Sequence, residues 1–264
     1  MKTYSKYKDS TVSEISYRPR GSNIDVQKMY DRELRNGSFN AESYKNANIV
    51  LIGAGGLGSN ISYGLVKKGV GRLTICDGDT VDITNLHRQK YKYSEIGKPK
   101  ASTLTQNLKN DAIKKIKLKA VDLFFEEAID IIMADNPAIC ICAPDNDDVR
   151  YLAAEYCFES NIPFITMGLS ENSDYGYIFI QHSLDECGCW HCYRKGNRGR
   201  QKCGVTANLN LPLLFSALTL TACDHILSKS ELPWTYRRLS LSGQISELNT
   251  IVPKWKECPV CSNK

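Results

Sequence analysis

Three glycines in this chain have the spacing of a phosphate-binding loop. Gly53, Gly55 and Gly58 form the pattern GxGxxG within GAGGLGS, between a run rich in β-branched residues and a stretch with helical spacing of apolar residues. These glycines allow a tight turn and a close approach of backbone to phosphate, and the helix that follows offers free amide groups. Asp77, at the end of the next predicted strand, can accept a hydrogen bond from a ribose hydroxyl. We therefore predict a nucleotide site, for NAD or for ATP.

A loop of charged and amide residues follows this acid and bears on the choice of nucleotide. It carries Asn85, Arg88, Gln89, Lys98 and Lys100. They come after the carboxyl end of a strand, which is where ligands of open α/β sheets bind. The β and γ phosphates of ATP carry charge that the NAD pyrophosphate lacks, and Arg and Lys can hold it. The loop therefore favours ATP, and its alternative interpretation is a solvated charged surface.

Asp145 offers a carboxylate at the same end of the predicted sheet. It lies at the tip of the fourth parallel strand, in APDNDD, so it can face the same crevice as Asp77. Carboxylate oxygens at this position suit a magnesium ion that also binds phosphate oxygens. The alternative role of Asp145 is to cap the helix that begins near Asp147.

Eleven cysteines are many for a chain whose first residues, MKTYSKYKDS, are not followed by an apolar signal segment. Disulfides are rare in reducing compartments, so we interpret these thiols as metal ligands, reactive groups or core residues. Two CxxC pairs, in CWHC and CPVC, form the ligand set of a structural zinc site. The predicted ligands are Cys189, Cys192, Cys258 and Cys261. Cys187 and His191 are alternative ligands.

Cys203 has a different setting from the paired cysteines. Arg198, Arg200 and Lys202 precede it in RGRQKCGVT, and neighbouring cations lower a thiol pKa and favour the reactive thiolate. Cys203 is therefore either a nucleophile or a bystander. The remaining thiols lie among apolar neighbours in predicted strands and helices, as is typical of core residues. These are Cys76, Cys140, Cys142, Cys157 and Cys223.

The elements that must position these groups follow from periodicity. From Ala47 to Glu159, short apolar runs alternate with stretches of helical spacing, including predicted helices at 101–115 and 147–159. Such alternation indicates a parallel sheet with helices on both faces. Beyond Ile162 the segments are strand-like, apart from an apolar helix near 212–227. We predict an α/β, Rossmann-like, mainly parallel sheet that antiparallel C-terminal strands and a four-cysteine zinc site extend.

Length and charge limit the function classes. A chain of 264 residues with 42% hydrophobic and 24% charged residues is typical of one main domain. The net charge of +5 is too small for a nucleic-acid protein. The longest apolar run, Leu211 to Cys223, is shorter than the roughly 20 residues that span a bilayer. We expect a cytoplasmic protein with neither nucleic acid nor membrane as partner.

The chain divides into segments of different expected roles. Residues 1–28 are polar and weakly patterned, which predicts a tail or a partner-binding arm, with ordered structure beginning near Met29. We expect a helical arm at 29–46, the nucleotide-binding core at 47–160, and the substrate, dimer and zinc-binding part at 161–264.

Five motifs occur together in an order that resembles one known family. GAGGLGS, DGDTVDITNLHRQ, GKPKA, PDN and the paired CxxC motifs look like the ThiF/MoeB/HesA group of adenylating enzymes, relatives of the ubiquitin-activating enzymes, from about Met29 to Cys261. The resemblance implies that ATP is bound by Gly53, Gly55, Gly56, Gly58, Asp77, Asp79, Asn85, Arg88, Gln89, Lys100 and Asp145, with Mg²⁺ on Asp145. The implied catalytic residues are Arg32, Arg88, Lys100, Asp145 and Cys203.

The resemblance also implies a reaction and its partners. ATP and Mg²⁺ would activate the C-terminal carboxylate of a small ubiquitin-like or sulfur-carrier protein with a Gly-Gly tail, giving an acyl adenylate and pyrophosphate. A thioester or acyl disulfide on Cys203 is the open second step. Arg32, in YDRELR, would reach into the active site of the other protomer of a homodimer. A peptide-adenylating enzyme of natural-product biosynthesis is the alternative, and an NAD-dependent oxidoreductase or an inactive scaffold subunit are the further ones.

Overall fold

The strands of the chain form one mixed sheet. A computed structural model describes residues 11–19, 26–35, 37–182, 187–195, 208–232, 234–241 and 248–262. The strands are β1 (Val12–Tyr17), β2 (Asn48–Ile52), β3 (Arg72–Cys76), β4 (Ile116–Val121), β5 (Ile139–Cys142), β6 (Phe164–Leu169), β7 (Tyr175–Gln181), β8 (Tyr236–Ser240) and β9 (Leu248–Thr250). Their order is β1-β4-β3-β2-β5-β6-β7-β8-β9. The five central strands, β4 to β6 in that order, run parallel, and β1, β7, β8 and β9 pair antiparallel.

Helices cover both faces of this sheet. They are α1 (Val26–Leu34), α2 (Ala41–Asn46), α3 (Gly56–Lys67), α4 (Lys100–Asp111), α5 (Phe125–Met133), α6 (Asp147–Glu159), α7 (Trp190–Arg194) and α8 (Asn210–Ser228), and two short 3-10 helices span Ile83–Asn85 and Tyr93–Glu95. Helices α3, α4 and α8 share one hydrophobic cluster, and α5, α6 and α7 share the other. The predicted α/β, Rossmann-like fold with antiparallel C-terminal strands is confirmed.

Strand β2 explains why two cores form. Its side chains alternate across the sheet, so Ile49 and Leu51 belong to the cluster of α3, while Val50 and Ile52 belong to the cluster of α5. All four are at most 3% exposed. A strand with four successive buried apolar residues is typical of a sheet that is covered on both faces.

Two sequence predictions about boundaries were wrong. Ordered structure begins before Met29, because β1 pairs antiparallel with β4 and α1 starts at Val26. Strand β1 is only half buried, with its inner side chains partly exposed, so its apolar signal is weak. The helix predicted at 101–115 ends at Asp111 and is followed by β4.

Helix α8 is long and apolar enough to cross a membrane by length and composition alone. Half of its apolar window is buried, against α3 and β7 in particular. Phe215, Ala222 and Ile226 belong to the same core cluster as α3. These contacts are those of a core helix.

Candidate active site

A cavity of about 450 Å³ opens where the strand order reverses. The chain runs from β2 outward to β3 and β4, then returns to the other side of β2 with β5 and β6. The loops that follow the carboxyl ends of β2 and of its neighbours β3 and β5 diverge where the strand order reverses, and they leave a crevice between them. Gly53, Asp77 and Asp145, which follow β2, β3 and β5, line the crevice together with Gly168, near the end of β6.

The glycine loop has two kinds of glycine. Gly53 has φ +90°, and a Cβ on it would lie 2.7 Å from the Ala143 carbonyl oxygen. A Cβ on Gly58 would lie 1.9 Å from the Gly53 carbonyl oxygen. These two glycines are required by the turn itself. A Cβ added to Gly55 or Gly56 would make only ordinary contacts, at 3.6 Å or more, and both glycines line the cavity.

Helix α3 begins at this loop without a side-chain cap. Gly55 is its N-cap residue and forms no side-chain hydrogen bond to the first amides. The amide groups of the first turn and the positive end of the helix dipole are therefore available to an anion. Gly55, Gly56 and Leu57 line the cavity at this point. The loop and the helix end can hold a phosphate group.

Asp77 connects the glycine loop to the end of β3. Its Oδ2 accepts a hydrogen bond from the Ala54 amide at 2.6 Å, and its Oδ1 accepts one from the Asp79 amide at 2.9 Å. Burial raises the pKa of this carboxyl, although the nearby Lys100 ammonium and these two amides favour the charged form. Each oxygen keeps a lone pair that can accept a hydrogen bond from a ligand hydroxyl.

Lys100 is the first residue of α4 and lines the cavity with a nearly buried side chain. Its Nζ donates to Asp79 Oδ2 at 2.8 Å, and its amide donates to the Asp79 carbonyl at 2.8 Å. The Lys100 side chain is 10% exposed, whereas that of Asp79 is 56% exposed. The ammonium therefore lies inside the cavity wall while its partner faces solvent.

Of the four remaining residues of the charged loop, Asn85, Arg88 and Gln89 line the cavity, whereas Lys98 is exposed and does not. Asn85 is buried and its Oδ1 accepts the Asp82 amide at 3.1 Å, as part of a capping box. Arg88 donates from Nη1 to the Thr84 carbonyl at 2.6 Å. Gln89 is 8% exposed, and its Oε1 has no hydrogen-bond partner among the described residues. A buried amide without a partner is costly, so Gln89 is available to a ligand.

Two positioning residues were missed by the sequence analysis. Tyr91 donates to the Ala54 carbonyl at 2.9 Å and lies 3.3 Å from the Lys100 carbonyl, so it connects the glycine loop to α4. Asn60 donates to the carbonyl oxygens of Gly56 and Arg88, at 2.7 and 3.1 Å. In the sequence, Tyr91 and Asn60 are marked only by a polar group in an otherwise apolar region. The sequence does not show their hydrogen bonds to Ala54 and Arg88, because these residues are far away along the chain.

Asp145 lies at the cavity with a free carboxylate. The N-cap of α6 is Asn146, whose Oδ1 accepts the Asp148 amide at 2.8 Å. The alternative interpretation of Asp145 as the helix cap is therefore wrong. Asp145 is exposed, and within the described ranges it forms no hydrogen bond or ion pair. It lines the same cavity as Asp77.

Within the described ranges, the sequence-predicted nucleotide residue Gly58 and the predicted catalytic residue Arg32 do not line this cavity. Arg32 is exposed on α1 and is not among the cavity-lining residues of its own protomer. Cys203, with Arg198, Arg200 and Lys202, lies outside the described residues.

The four cysteines of the CxxC pairs come together on the face of the sheet that α5, α6 and α7 cover. The Sγ–Sγ distances are 3.8 Å between Cys189 and Cys192, 3.5 Å between Cys189 and Cys258, and 3.3 Å between Cys192 and Cys261. All four are buried, and their Sγ atoms lie within 4.8 Å of one another. Zn–S bonds of about 2.3 Å in a tetrahedron place sulfur atoms about 3.8 Å apart. The cluster therefore fits a metal ion of this kind.

The other described cysteines and His191 are not part of this cluster. His191 Nε2 lies 2.9 Å from Glu155 Oε1, and Cys187 is partly exposed. Neither alternative ligand is among the grouped residues. The thiols expected in the core are buried, and burial raises the pKa of Cys142 and Cys223 far above the usual range of a thiol. Neutral buried thiols of this kind are core residues.

The family model called ThiF family matches residues 30–264. The chain belongs to the ThiF family. Over 206 residues it is 30% identical to the molybdopterin-synthase adenylyltransferase of Escherichia coli, covering 75% of this chain and 80% of that protein. It is 35% identical to the sulfur carrier protein adenylyltransferase of Thermus thermophilus, over 59% of this chain and 58% of that protein. The resemblance stated from the motifs is thereby confirmed.

This chain matches only part of the length of some relatives. The adenylyltransferase and sulfurtransferase MOCS3 of Caenorhabditis briggsae is 32% identical over 62% of this chain, a match that spans 41% of that protein. Among solved structures, Escherichia coli MccB with ATP has a TM-score of 0.75 and 21% identity, covering 92% of this chain and 76% of that one. This structural likeness establishes the shared fold.

Proposed function

We propose that this ThiF-family chain is an adenylyltransferase that uses ATP to activate the C-terminal carboxylate of a small ubiquitin-like or sulfur-carrier protein. The observation that carries the proposal is Lys100, whose nearly buried ammonium lines a cavity that the glycine loop and Arg88 also line. A triphosphate uses both cations, whereas the NAD pyrophosphate carries less charge for them to bind. The names of the curated relatives support the same activity.

The nucleotide is expected to lie along the cavity from the glycine loop to the wall of α4. Its phosphates approach Gly55 and Gly56, where no Cβ obstructs them, and meet the free amides at the start of α3. Asp77 accepts the ribose hydroxyls. The remaining nucleotide contacts come from Gly53, Gly58, Asp79, Asn85, Arg88, Gln89, Lys100 and Asp145. The cavity that Gly55 and Gly56 line and the unpaired amide oxygen of Gln89 both fit such a ligand.

The reaction needs position and charge rather than a general base. The carrier carboxylate has an unperturbed pKa of about 3.5, so it is ionised at neutral pH and attacks the α-phosphorus directly. The bond to pyrophosphate breaks, and its negative charge is stabilised by Lys100 and Arg88. A lysine has three donor hydrogens, so Lys100 can keep Asp79 and still donate to a phosphate oxygen.

Asp145 and the cysteine cluster are the proposed metal sites. The free, exposed carboxylate of Asp145 at the cavity suits Mg²⁺, which would neutralise phosphate charge when bound. The four thiolates suit Zn²⁺ with no open position for a substrate, so the proposed role of zinc is structural. Zinc would hold residues 258–261 against α7.

The remaining parts of the proposal concern partners and segments. Because Arg32 is exposed and lies outside its own cavity, we propose that it enters the cavity of a second protomer, in a homodimer. The proposed division is a helical arm at 29–46, a nucleotide core at 47–160 and a substrate, dimer and zinc part at 161–264. We expect the enzyme to act in the cytoplasm, without nucleic acid or membrane. Transfer to Cys203 is the hypothesis for a second step.

Pyrophosphate exchange tests the activity directly. The protein is incubated with ATP, Mg²⁺, labelled pyrophosphate and carriers that end in Gly-Gly, and intact mass then detects an adenylate and any adduct on the enzyme. Short peptides with a free carboxylate test the alternative of a peptide-adenylating enzyme. Exchange that requires a carrier supports the proposal. Absence of exchange with every carrier and peptide, together with reduction of NAD by some substrate, contradicts it.

Mixed dimers test the contribution of Arg32. Arg32→Ala and Lys100→Ala subunits are each expected to be inactive alone. If Arg32 acts in the other protomer, mixing them restores one complete site per heterodimer and about a quarter of wild-type exchange, since half of the subunits pair as heterodimers with one active site of two. No recovery on mixing would show that Arg32 acts within its own subunit or not at all.

Cys203→Ala should keep the adenylate and lose the enzyme adduct if that thiol is the nucleophile.

A further inference from the structure

A line of buried charged side chains runs from the cysteine cluster to the nucleotide cavity. Arg194, two residues after Cys192 at the end of α7, donates from Nη2 to Asp147 Oδ2 at 2.9 Å. The other oxygen of Asp147 accepts from Arg150 Nη1 at 2.7 Å. The Asp147 and Arg150 side chains are each 4% exposed, so little water competes for these contacts. One carboxylate therefore joins two guanidinium groups from different parts of the fold.

Arg150 holds two segments of the cavity wall together. Its Nη2 donates to the Pro144 carbonyl at 2.6 Å and to the Met167 carbonyl at 3.2 Å. Pro144 directly precedes Asp145, and Met167 directly precedes Gly168, and both of these neighbours line the cavity along with Arg150 itself. Arg150 thus sets the spacing between the loop after β5 and the end of β6. The backbone at the proposed magnesium ligand depends on this guanidinium.

The cysteine cluster fixes the other end of the line. Helix α7 has only five residues, and it begins directly after Cys189 and includes Cys192. Trp190, fully buried between them, donates its amide to Gln181 Oε1 at 3.1 Å. A helix this short has little stability of its own, so contacts from outside it set its position, and a metal ion bound by the four thiolates would add to them. Arg194 is carried on that helix.

The contacts to Asp147 are what orient both guanidinium groups. Within the part of the chain that the structure describes, Arg150 Nε and Arg194 Nε are buried and form no hydrogen bond. Without Arg194, Asp147 Oδ2 would be left unpaired in a buried position, and the carboxylate would be free to turn away from Arg150. The orientation of the Asp147 carboxylate therefore affects both Arg194, on the side of the cysteine cluster, and Arg150, on the side of the cavity.

We propose that Arg194 and Asp147 are positioning residues that couple the metal cluster to the nucleotide cavity. The metal ion fixes α7, Arg194 orients the Asp147 carboxylate, and Asp147 holds Arg150 in the position that shapes the wall at Asp145. The inference rests on the proposed function of the cavity and the cluster, and it adds that the metal ion affects nucleotide affinity without any part in the chemistry. By reciprocity, nucleotide binding changes the affinity for the metal ion by the same factor.

The test uses Co²⁺ in place of the native metal, because Co²⁺–thiolate absorption reports on the cluster separately from activity. The variants are Arg194→Ala and Arg194→Lys. Arg72→Ala is the matched control, since it also removes an Arg–Asp contact, the one with Asp135 at 3.3 Å, at the amino end of β3. For each protein, calorimetry measures the Kd of ATP and the Mg²⁺ concentration that ATP binding requires. Visible absorption records the change in the cobalt bands on adding ATP and Mg²⁺.

Arg194→Ala should retain bound metal, bind ATP about tenfold more weakly, need more Mg²⁺ and lose the cobalt response. Arg194→Lys, which keeps a donor for Asp147, should recover part of both effects, and Arg72→Ala should match the wild type. Wild-type ATP affinity together with a wild-type cobalt response in Arg194→Ala would overturn the coupling. If that variant fails to retain metal, Arg194→Lys decides by the same two readings. Failure of the wild type to bind ATP would instead contradict the proposed function.

Discussion

Replacing Lys100 by alanine is the most direct test of how this cavity acts. The change removes one positive charge that is 10% exposed and leaves Asp79, which is 56% exposed, without its partner. An ion pair with so exposed a partner contributes little to stability. We therefore expect Lys100→Ala to unfold within a few degrees of the wild type, so that its effect on the reaction can be measured separately.

The expected loss follows from the charge that develops on the departing pyrophosphate. Two unit charges about 4 Å apart at an effective dielectric constant of about 20 interact by about 4 kcal/mol. About half a unit of new charge in the transition state then corresponds to about 2 kcal/mol, or roughly 30-fold in rate. Removal of one preorganised donor costs about 100- to 1000-fold in comparable sites. We expect Lys100→Ala to slow carrier-dependent exchange by at least about 30-fold.

A second signature of Lys100→Ala lies in the pH dependence. The Lys100 charge opposes the burial that raises the pKa of Asp77, so its removal raises that pKa further. Protonated Asp77 is a poorer acceptor for a ribose hydroxyl, so ATP binding by the variant should weaken at a higher pH than wild-type binding as the solution is acidified. Calorimetric titration of ATP over a pH series measures this difference.

Lys98→Ala is the control, because Lys98 is exposed in the same GKPKA segment and should be dispensable. Exchange within threefold of wild type in Lys100→Ala, with an unchanged Kd for ATP, would refute the role given to this ammonium.

Gly58→Ala should lower the unfolding free energy by about 2 kcal/mol or more, because a Cβ would lie 1.9 Å from the Gly53 carbonyl oxygen. Gly55→Ala should instead unfold like the wild type and bind ATP more weakly. Denaturation measures the first effect and calorimetry the second. Burial lowers the pKa of His182, so the unfolded chain takes up a proton more readily, and wild-type stability should fall as pH drops below about 6.5. In His182→Asn, the urea midpoint should decrease less with falling pH than in the wild type. An unchanged dependence of the midpoint on pH would contradict this prediction. Cys258→Ser should lower the metal content and lower the midpoint of thermal unfolding by about 10 °C or more. Full metal retention in this variant would refute the four-thiolate site.

The central sheet could be predicted because each of its strands carries its own signal. Strand β2 is apolar at successive positions on both faces, and the glycines and Asp77 mark where neighbouring strands end. Strand β1 carries no comparable signal, since only Val12, Ile15 and Tyr17 are partly buried and its pairing partner lies about a hundred residues along the chain. Edge strands of this kind depend on a surface that the rest of the fold provides.

The site could be predicted as a set of residue types but not as a set of contacts. Motif residues come together because parallel strands end at one edge, which the alternation of elements already implies. Tyr91 and Asn60 could not be found in this way, because each donates to backbone oxygens 28 or more residues away. The ion pair of Lys100 with Asp79 likewise depends on how α4 begins after its loop.

The two halves of the cysteine cluster are separated by 69 residues, with α8, β8 and β9 in the interval. During synthesis the first CxxC pair therefore leaves the ribosome well before the second, when the parallel part of the sheet is already available to fold. A metal ion can be held by all four thiolates only after that interval has been made and folded back. Capture of the proposed metal ion would thus be a late step of maturation, and its completion would mark chains in which the last strands have docked on the sheet.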